Sequence, residues 1–262
     1  VIAPGEKLSL PRIPLPDVAL RRHDRFDQFI EQAKALPSLP TAVVHPCSAE
    51  AIAAAIEARA EGLIEPVLIG PPKKIAAAAE KAGLSIEGLT IEPTEHSHAA
   101  AARAVELAGS GVVHALMKGS LHTDELLGAV VGVQSGLRTE RRISHVYVLD
   151  VPSYTKPLIV TDAAINIMPT LEQKRDICQN AIDMLHVLGL EEPLVAVLAA
   201  VETVNDRMPS TLDAAALYDF FERVYVINLR TRPDRLEDFF SRLDAVGWPF
   251  RRPIVYPAIH GD

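Results

Sequence analysis

Cysteine is scarce in this chain of 262 residues, where Cys47 and Cys178 are the only two. They have neither metal-ligand spacing nor the density of a disulfide-stapled domain, so both read as ordinary buried thiols in a reducing compartment, and the expected location is cytoplasmic. Basic charge is short as well. Lys and Arg number 26 against 34 Asp and Glu, a formal net charge of −8, which leaves a nucleic-acid or acidic-membrane role without electrostatic support. No apolar run is long enough to span a bilayer, and no signal-peptide pattern opens the chain. Several familiar chemical signatures are missing. There is no G-x-S-x-G elbow and no G-x-G-x-x-G fingerprint, which argues against a hydrolase and a nicotinamide dehydrogenase. The nine histidines, His96, His98 and His122 among them, show no HExxH or other ligand spacing, so polar packing explains them better than a metal. Because the chain begins with Val1, the expectation is a fragment whose start was removed or lies upstream.

What is present is apolar material for a core, 48% of residues, enough for one large α/β domain or two smaller ones. Residues 1 to 23 carry Pro4, Pro11, Pro14 and Pro16 with little periodicity and read as a linker or arm. Phe26, Phe29, Ile30 and Ala33 then fall at helical spacing, and Pro37 and Pro40 end that helix. An alternation follows: strand Thr41 to His45, a Ser48-capped helix Ala49 to Ala60, strand Pro66 to Ile69, a helix from Pro71-Pro72, strand Leu89 to Ile91, helix His98 to Ala108 and strand Val112 to Met117. Such alternation predicts parallel strands with helices on both faces. Ile143 to Leu149 and Pro157 to Val160 read as two closely spaced strands able to form a hairpin-like crossing. Leu171 to Leu188 reads as a long helix stopped by Gly189, Leu194 to Ala199 as a buried strand, and Ser210 as the cap of a helix through Ala216.

The chain is organised around Val112 to Asp124, VVHALMKGSLHTD. An apolar run stops at Lys118-Gly119-Ser120, and His122-Thr123-Asp124 opens an amphipathic segment from Glu125 to Val131: strand, turn, helix. In an open parallel sheet such a turn lies where ligands bind, and the helix start offers free N–H groups and partial positive charge to an anion. Lys118 adds a full charge, and Gly119 lets a phosphate approach the backbone. The plainer alternative is a turn and nothing more, because KGS is not a Walker A sequence. Downstream, Arg138, Arg141 and Arg142 form a basic, Gly-containing loop that either clamps a phosphate with guanidinium forks or is simply solvated. Asp162 and Asn166 follow a strand expected to end on the same side as Lys118. Asn166 either orients a substrate carbonyl or caps the following turn.

Four segments carry a resemblance. MKGSLHTDELL (117 to 127), GLRTERRISHVYVLDVPSY (136 to 154), TDAAINIMPTLEQKRDICQNA (161 to 181) and VETVNDRMPSTLDAAAL (201 to 217) together resemble the phosphate acetyl/butyryltransferase family, in order, over residues 24 to 217. The branch it looks closest to is fused behind a MaoC-like hydratase, which implies an upstream hydratase domain joined through a Pro-rich linker like residues 1 to 23. The resemblance implies an α/β, three-layer parallel-sheet fold of the isocitrate/isopropylmalate dehydrogenase-like type, with two subdomains around a cleft, as a homodimer. The implied reaction moves an acetyl or butyryl group between coenzyme A and phosphate, with CoA as substrate and no cofactor, metal or covalent intermediate. CoA thiolate, formed with the help of an aspartate, attacks the acyl phosphate while arginines and backbone amides stabilise the developing charge. Carried onto this sequence, the substrate-binding candidates are Lys118, Gly119 and Thr123 for the phosphate-side turn and Arg138, Asp162 and Asn166 for the cleft. No catalytic residue is assigned.

The family's Ser-Arg pair and thiol-activating aspartate would follow Leu217. This sequence instead continues YDFFERVYVINLRTRPDRLEDFFSRLDAVGWPFRRPIVYPAIHGD, so the expectation is a C-terminally truncated acyltransferase with impaired activity. The tail reads as strand Arg223 to Leu229, helix Asp234 to Val246 and strand Pro253 to Ala258, an appended β-α-β unit. Residues 218 to 262 resemble the opening of a family 25 glycosyltransferase of the lipopolysaccharide type. The plainer view is that the tail supplies strands to the preceding sheet. Two other functional readings stay open: a non-catalytic CoA- or phosphate-binding remnant, and a sugar-nucleotide binder through the tail.

Overall fold

A computed structural model describes residues 25–151, 156–198, 205, 207–221, 224–229 and 254–258. The chain divides into two compact units, Asp24–Arg141 and Arg142–Asp262. That division falls inside the span 24 to 217 read as one domain. The linker expected over residues 1 to 23 and the helix expected over Asp234 to Val246 lie outside the described residues.

In the first unit, α1 (Arg25–Lys34) is followed by β1 (Leu39–Val44), α2 (Ala49–Ala60), β2 (Ile64–Gly70), α3 (Pro72–Ala82), β3 (Thr90–Pro93), α4 (Ser97–Gly109), β4 (Ala115–Lys118) and α5 (Thr123–Val130). The four strands are parallel in the order β3-β2-β1-β4. The central strand β1 has Ala42, Val43 and Val44 fully buried. A strand covered on both faces needs such a continuous apolar run, because alternate side chains enter opposite layers. Ala42 and Val44, with Ile69, pack against Ala100, Ala101 and Ala104 of α4 and Leu126 of α5. Val43, with Leu68, faces Ile52 and Ala55 of α2 and Ile75, Ala78 and Ala79 of α3. The many alanines keep the helices close to the sheet. Ser48 caps α2 by accepting from Ala51 N–H, as its position predicts.

β4 begins three residues later than the apolar run implies. Val112 and Val113 are apolar, but their N–H groups both donate to Leu107 O, so they close the end of α4 before the strand starts.

The second unit opens with β5 (Val146–Leu149) and β6 (Leu158–Thr161), paired antiparallel, the hairpin-like pairing expected from their spacing. β5 also starts late. His145 N–H donates to Asp162 Oδ1 and Ile143 O accepts from Asn166 Nδ2, so these backbone groups bind side chains instead of a neighbouring strand. α6 (Leu171–Val187) carries a full capping box between Thr170 and Gln173. β7 (Val195–Ala196) is much shorter than expected. α7 (Pro209–Phe220) is capped at Met208, not Ser210. Pro209 takes the first helical position, where its fixed φ and missing N–H cost nothing, and Ser210 falls inside the helix. Lys174 on α6 and Asp213 on α7 form an ion pair at 2.5 Å, with both side chains largely buried. β8 (Val224–Leu229) pairs in parallel with β7 and with β9 (Ile254–Ala258), so one sheet runs across the boundary drawn at 217/218.

Candidate functional site

The strand order of the first unit contains a reversal. From β1 the chain winds outward through β2 to β3, then returns through α4 to place β4 on the other side of β1. The carboxyl ends of β1 and β4 therefore form a topological switch point, the place where open α/β sheets bind ligands. Lys118 ends β4 and pairs with Val44 at the end of β1.

Beyond the paired strands the two segments stay in contact. Gly119 N–H donates to Val44 O and Ser120 N–H to His45 O, each at 2.9 Å. A Cβ on Gly119 would lie 2.5 Å from Val44 O and 2.7 Å from His45 O, so glycine is required because the backbones touch. His45 itself is held at a φ of 54°, with its N–H donated to Ile69 O at 2.7 Å and its carbonyl also accepting from Cys47 N–H. His45 is nine-tenths buried, and neither ring nitrogen has a hydrogen-bond partner among the described residues.

The Lys118 ammonium folds over the turn, donating to Leu121 O at 3.0 Å and Gly119 O at 3.4 Å. These contacts hold the charge where the chain enters α5. His122 occupies the cap position of that helix without a side-chain cap bond, so the N–H groups of the first turn, beginning with Thr123, are not blocked by a cap. Lys118 is exposed. The acidic side chains of that turn are Asp124 and Glu125, and Glu125 is turned toward His98 of α4 at 4.0 Å. Arg138 is exposed, and its side chain makes no hydrogen bond or ion pair among the described residues.

The second unit brings together the other candidates. Asp162 lies at the end of β6, where its Oδ1 accepts from His145 N–H at 2.9 Å and its Oδ2 from Asn166 N–H at 2.7 Å. Ile165 N–H and Ala164 N–H add longer bonds, and Asn166 Nδ2 donates to Oδ2 as well. Partial burial pushes the Asp162 carboxyl upward, but the donors from His145, Asn166 and Ile165 outweigh it and hold the group below its ordinary range. Asn166 does more than cap a turn. Its Nδ2 also donates to Ile143 O at 3.0 Å, and its Oδ1 accepts from Arg142 Nε at 2.7 Å. Arg142 is anchored through its main chain too, with N–H to Asp176 Oδ2 at 3.0 Å and O accepting from Asn180 Nδ2 at 2.8 Å.

Among the described residues, no group of three or more His, Cys, Asp or Glu side chains is placed to hold a metal ion. No described helix is long and apolar enough to cross a membrane.

The sequence matches the model of the phosphate acetyl/butaryl transferase family over residues 94–225, just over half of the chain. The chain belongs to the phosphate acetyl/butyryl transferase family. It is 46% identical over 229 residues to a phosphate acetyltransferase of Rickettsia prowazekii (strain Madrid E), covering 86% of this chain and 65% of that protein. With a phosphate acetyltransferase of Rhizobium meliloti it shares 52% over 199 residues, 76% of this chain and 63% of the relative. The chain thus spans a little under two thirds of the length of these relatives. In fold it is similar to a branched-chain phosphotransacylase from Enterococcus faecalis V583, with a TM-score of 0.59 at 22% identity, covering 84% of this chain and 80% of that one.

The span matched to the phosphate acetyl/butyryl transferase family includes Lys118, Gly119, Thr123, Arg138, Asp162 and Asn166, and with them Arg142. Two residues of these clusters escape a reading by motif. His45 shows in sequence only as the end of a β-branched run, with no signal for its left-handed backbone. Arg142 is one of three arginines in a loop, and spacing does not distinguish it from Arg138.

Proposed function

We propose that this chain is a phosphate acyltransferase that moves an acetyl or butyryl group between coenzyme A and phosphate. The observation that carries the reading is the turn at the switch point. A lysine charge and an uncapped helix start converge there, inside the span matched to the family, in a protein whose overall charge repels anions. In this reading Lys118, Gly119 and Thr123 receive the phosphate group, and Arg138, Asp162 and Asn166 complete the substrate-binding set. The acyl phosphate is attacked by CoA thiolate, and the positive groups stabilise charge on the carbonyl oxygen. CoA serves as substrate and no cofactor takes part. Asp162 is not the base that forms the thiolate, because both of its oxygens already accept N–H bonds.

The finer fold type is proposed to be that of isocitrate and isopropylmalate dehydrogenases, with the protein working as a cytoplasmic homodimer and an upstream hydratase domain in the longer protein. A homodimer is supported by the exposed apolar row Tyr147, Leu149, Leu158 and Val160 on the β5–β6 ladder. A second reading, binding of CoA and phosphate without turnover, is favoured by the occupied state of Asp162. A tail that binds a sugar nucleotide rests on the resemblance alone.

The test follows thioester absorbance with purified protein, CoA, and acetyl or butyryl phosphate, next to calorimetry with CoA and inorganic phosphate. Turnover that falls at least tenfold in Lys118→Ala is expected. Binding without thioester formation would support the second reading, and unchanged phosphate affinity in Lys118→Ala would end the assignment of the turn.

A further inference from the structure

The three arginines of the loop before β5 differ in one respect that only the structure reveals. Arg142 donates its Nε–H to the Asn166 amide oxygen at 2.7 Å. That oxygen is not free to rotate away, because the nitrogen of the same amide donates both to Ile143 O and to the Asp162 carboxylate. The carboxylate is in turn fixed by main-chain N–H groups of His145 and Asn166. Orientation thus passes from the backbone through Asp162 and Asn166 to Arg142.

The far side of the guanidinium is unused. Arg142 is exposed, and its two terminal nitrogens have no carboxylate partner among the described residues. Arg103, by comparison, binds Glu92 at 3.1 Å and Glu106 at 2.8 Å. A guanidinium has five donors in a fixed plane. With Nε committed to a neutral acceptor, its full charge and its Nη pair remain for a planar, two-point contact with an anion's oxygens. Holding such a fork in advance lowers the ordering cost of binding.

We propose that Arg142 is the anion-contact residue of the second unit and that Asn166, braced by Asp162, is the residue that positions it. The ligand class is a phosphate or diphosphate group. The inference rests on the phosphate-binding reading above and deepens it by naming the arginine of the second unit that makes the contact.

The experiment measures inorganic phosphate and inorganic pyrophosphate binding to the full chain by calorimetry at low salt. Arg142→Ala should raise the pyrophosphate Kd by about tenfold or more, and Arg142→Lys should not restore it, because an ammonium lacks the fork. Asn166→Ala, which leaves every charge in place, should raise the Kd by roughly three- to tenfold through lost preorganisation. The double variant should bind no worse than Arg142→Ala alone, and Arg59→Ala, which removes an exposed charge on α2 of the first unit, should stay within about twofold of the parent. The nitrogen-15 signal of the Arg142 Nε–H should lose its protection from solvent exchange in Asn166→Ala. Where that variant fails to fold, Asn166→Ser keeps a hydroxyl for the turn but is too short to reach Arg142, and the same losses are expected. Parent-like affinity in the Asn166 variants, losses that multiply in the double variant, or no binding of either anion by the parent chain would each overturn the proposal. Because the readout is binding, a chain that binds through this relay but forms no thioester would count against the acyltransferase reading alone.

Discussion

Replacing Gly119 by alanine should loosen the switch point without altering a single charge. The added methyl would sit 2.5 Å from Val44 O, 2.7 Å from His45 O and 2.8 Å from His45 C, all backbone atoms of the central strand's end, so no side chain can swing aside. Either β4 moves away from β1 or the turn is rebuilt. Overpacking of this kind costs about 1–3 kcal/mol, and losing the Gly119 and Ser120 N–H bonds adds about 0.5–1.5 kcal/mol each, so the total is roughly 2–6 kcal/mol. The suitable assay is native-state hydrogen exchange, because it reads the opening of chosen strands in a chain with two units. Even the low end of that range should speed exchange of the Val43, Val44 and Met117 amides about 30-fold. Gly128→Ala is the matched control. Its methyl would meet nothing within 4 Å on α5, and removing a glycine from a helix should stabilise by about 0.5–1 kcal/mol. Less than about threefold faster exchange in Gly119→Ala would show that the contact is not the constraint described here.

Two further outcomes are expected. The Asp162 carboxyl is held below its ordinary range in the folded chain, so its stabilisation is complete above the unfolded carboxylate pKa and is lost as pH falls through the depressed folded value. Asp162→Asn should therefore flatten the acid limb of the stability profile, and an acid limb identical to that of the parent would refute this. Burial pushes the Cys178 thiol to about 11, so iodoacetamide at pH 8 should modify it roughly a hundredfold more slowly than an exposed thiol, and modification at the rate of free cysteine would contradict that burial.

The periodic parts of the chain were legible because each strand and helix of the first unit meets one demand at a time. Ala49 to Ala60 has a capping serine before it and a turn after it, and folds over those residues. The element ends were less legible where a residue's backbone and side chain answer to different partners. Val112 and Val113 look like strand, yet their N–H groups belong to α4. Ile143 and His145 are apolar or aromatic, yet their backbones serve Asn166 and Asp162. The site was readable on the same terms. Lys118-Gly119 announces itself as a turn after an apolar run, whereas the role of Arg142 depends on Asn166, 24 positions away. Spacing carries no information about a bond over that separation.

The latch between Gly119 and Val44 also sets an order of events during synthesis. β1 leaves the ribosome about 70 residues ahead of β4, an interval of roughly 4 to 15 s at ordinary elongation rates. β2 can cover one edge of β1 early, but the other edge waits for Lys118 and Gly119 to emerge. Until then Thr41, Ala42, Val43 and Val44 offer an uncharged, β-branched edge to any strand that meets it. A nascent chain of this protein is therefore most exposed to misassembly in the stretch before the switch point closes, and the close-fitting glycine that completes the turn after β4 is also the residue that ends that exposure.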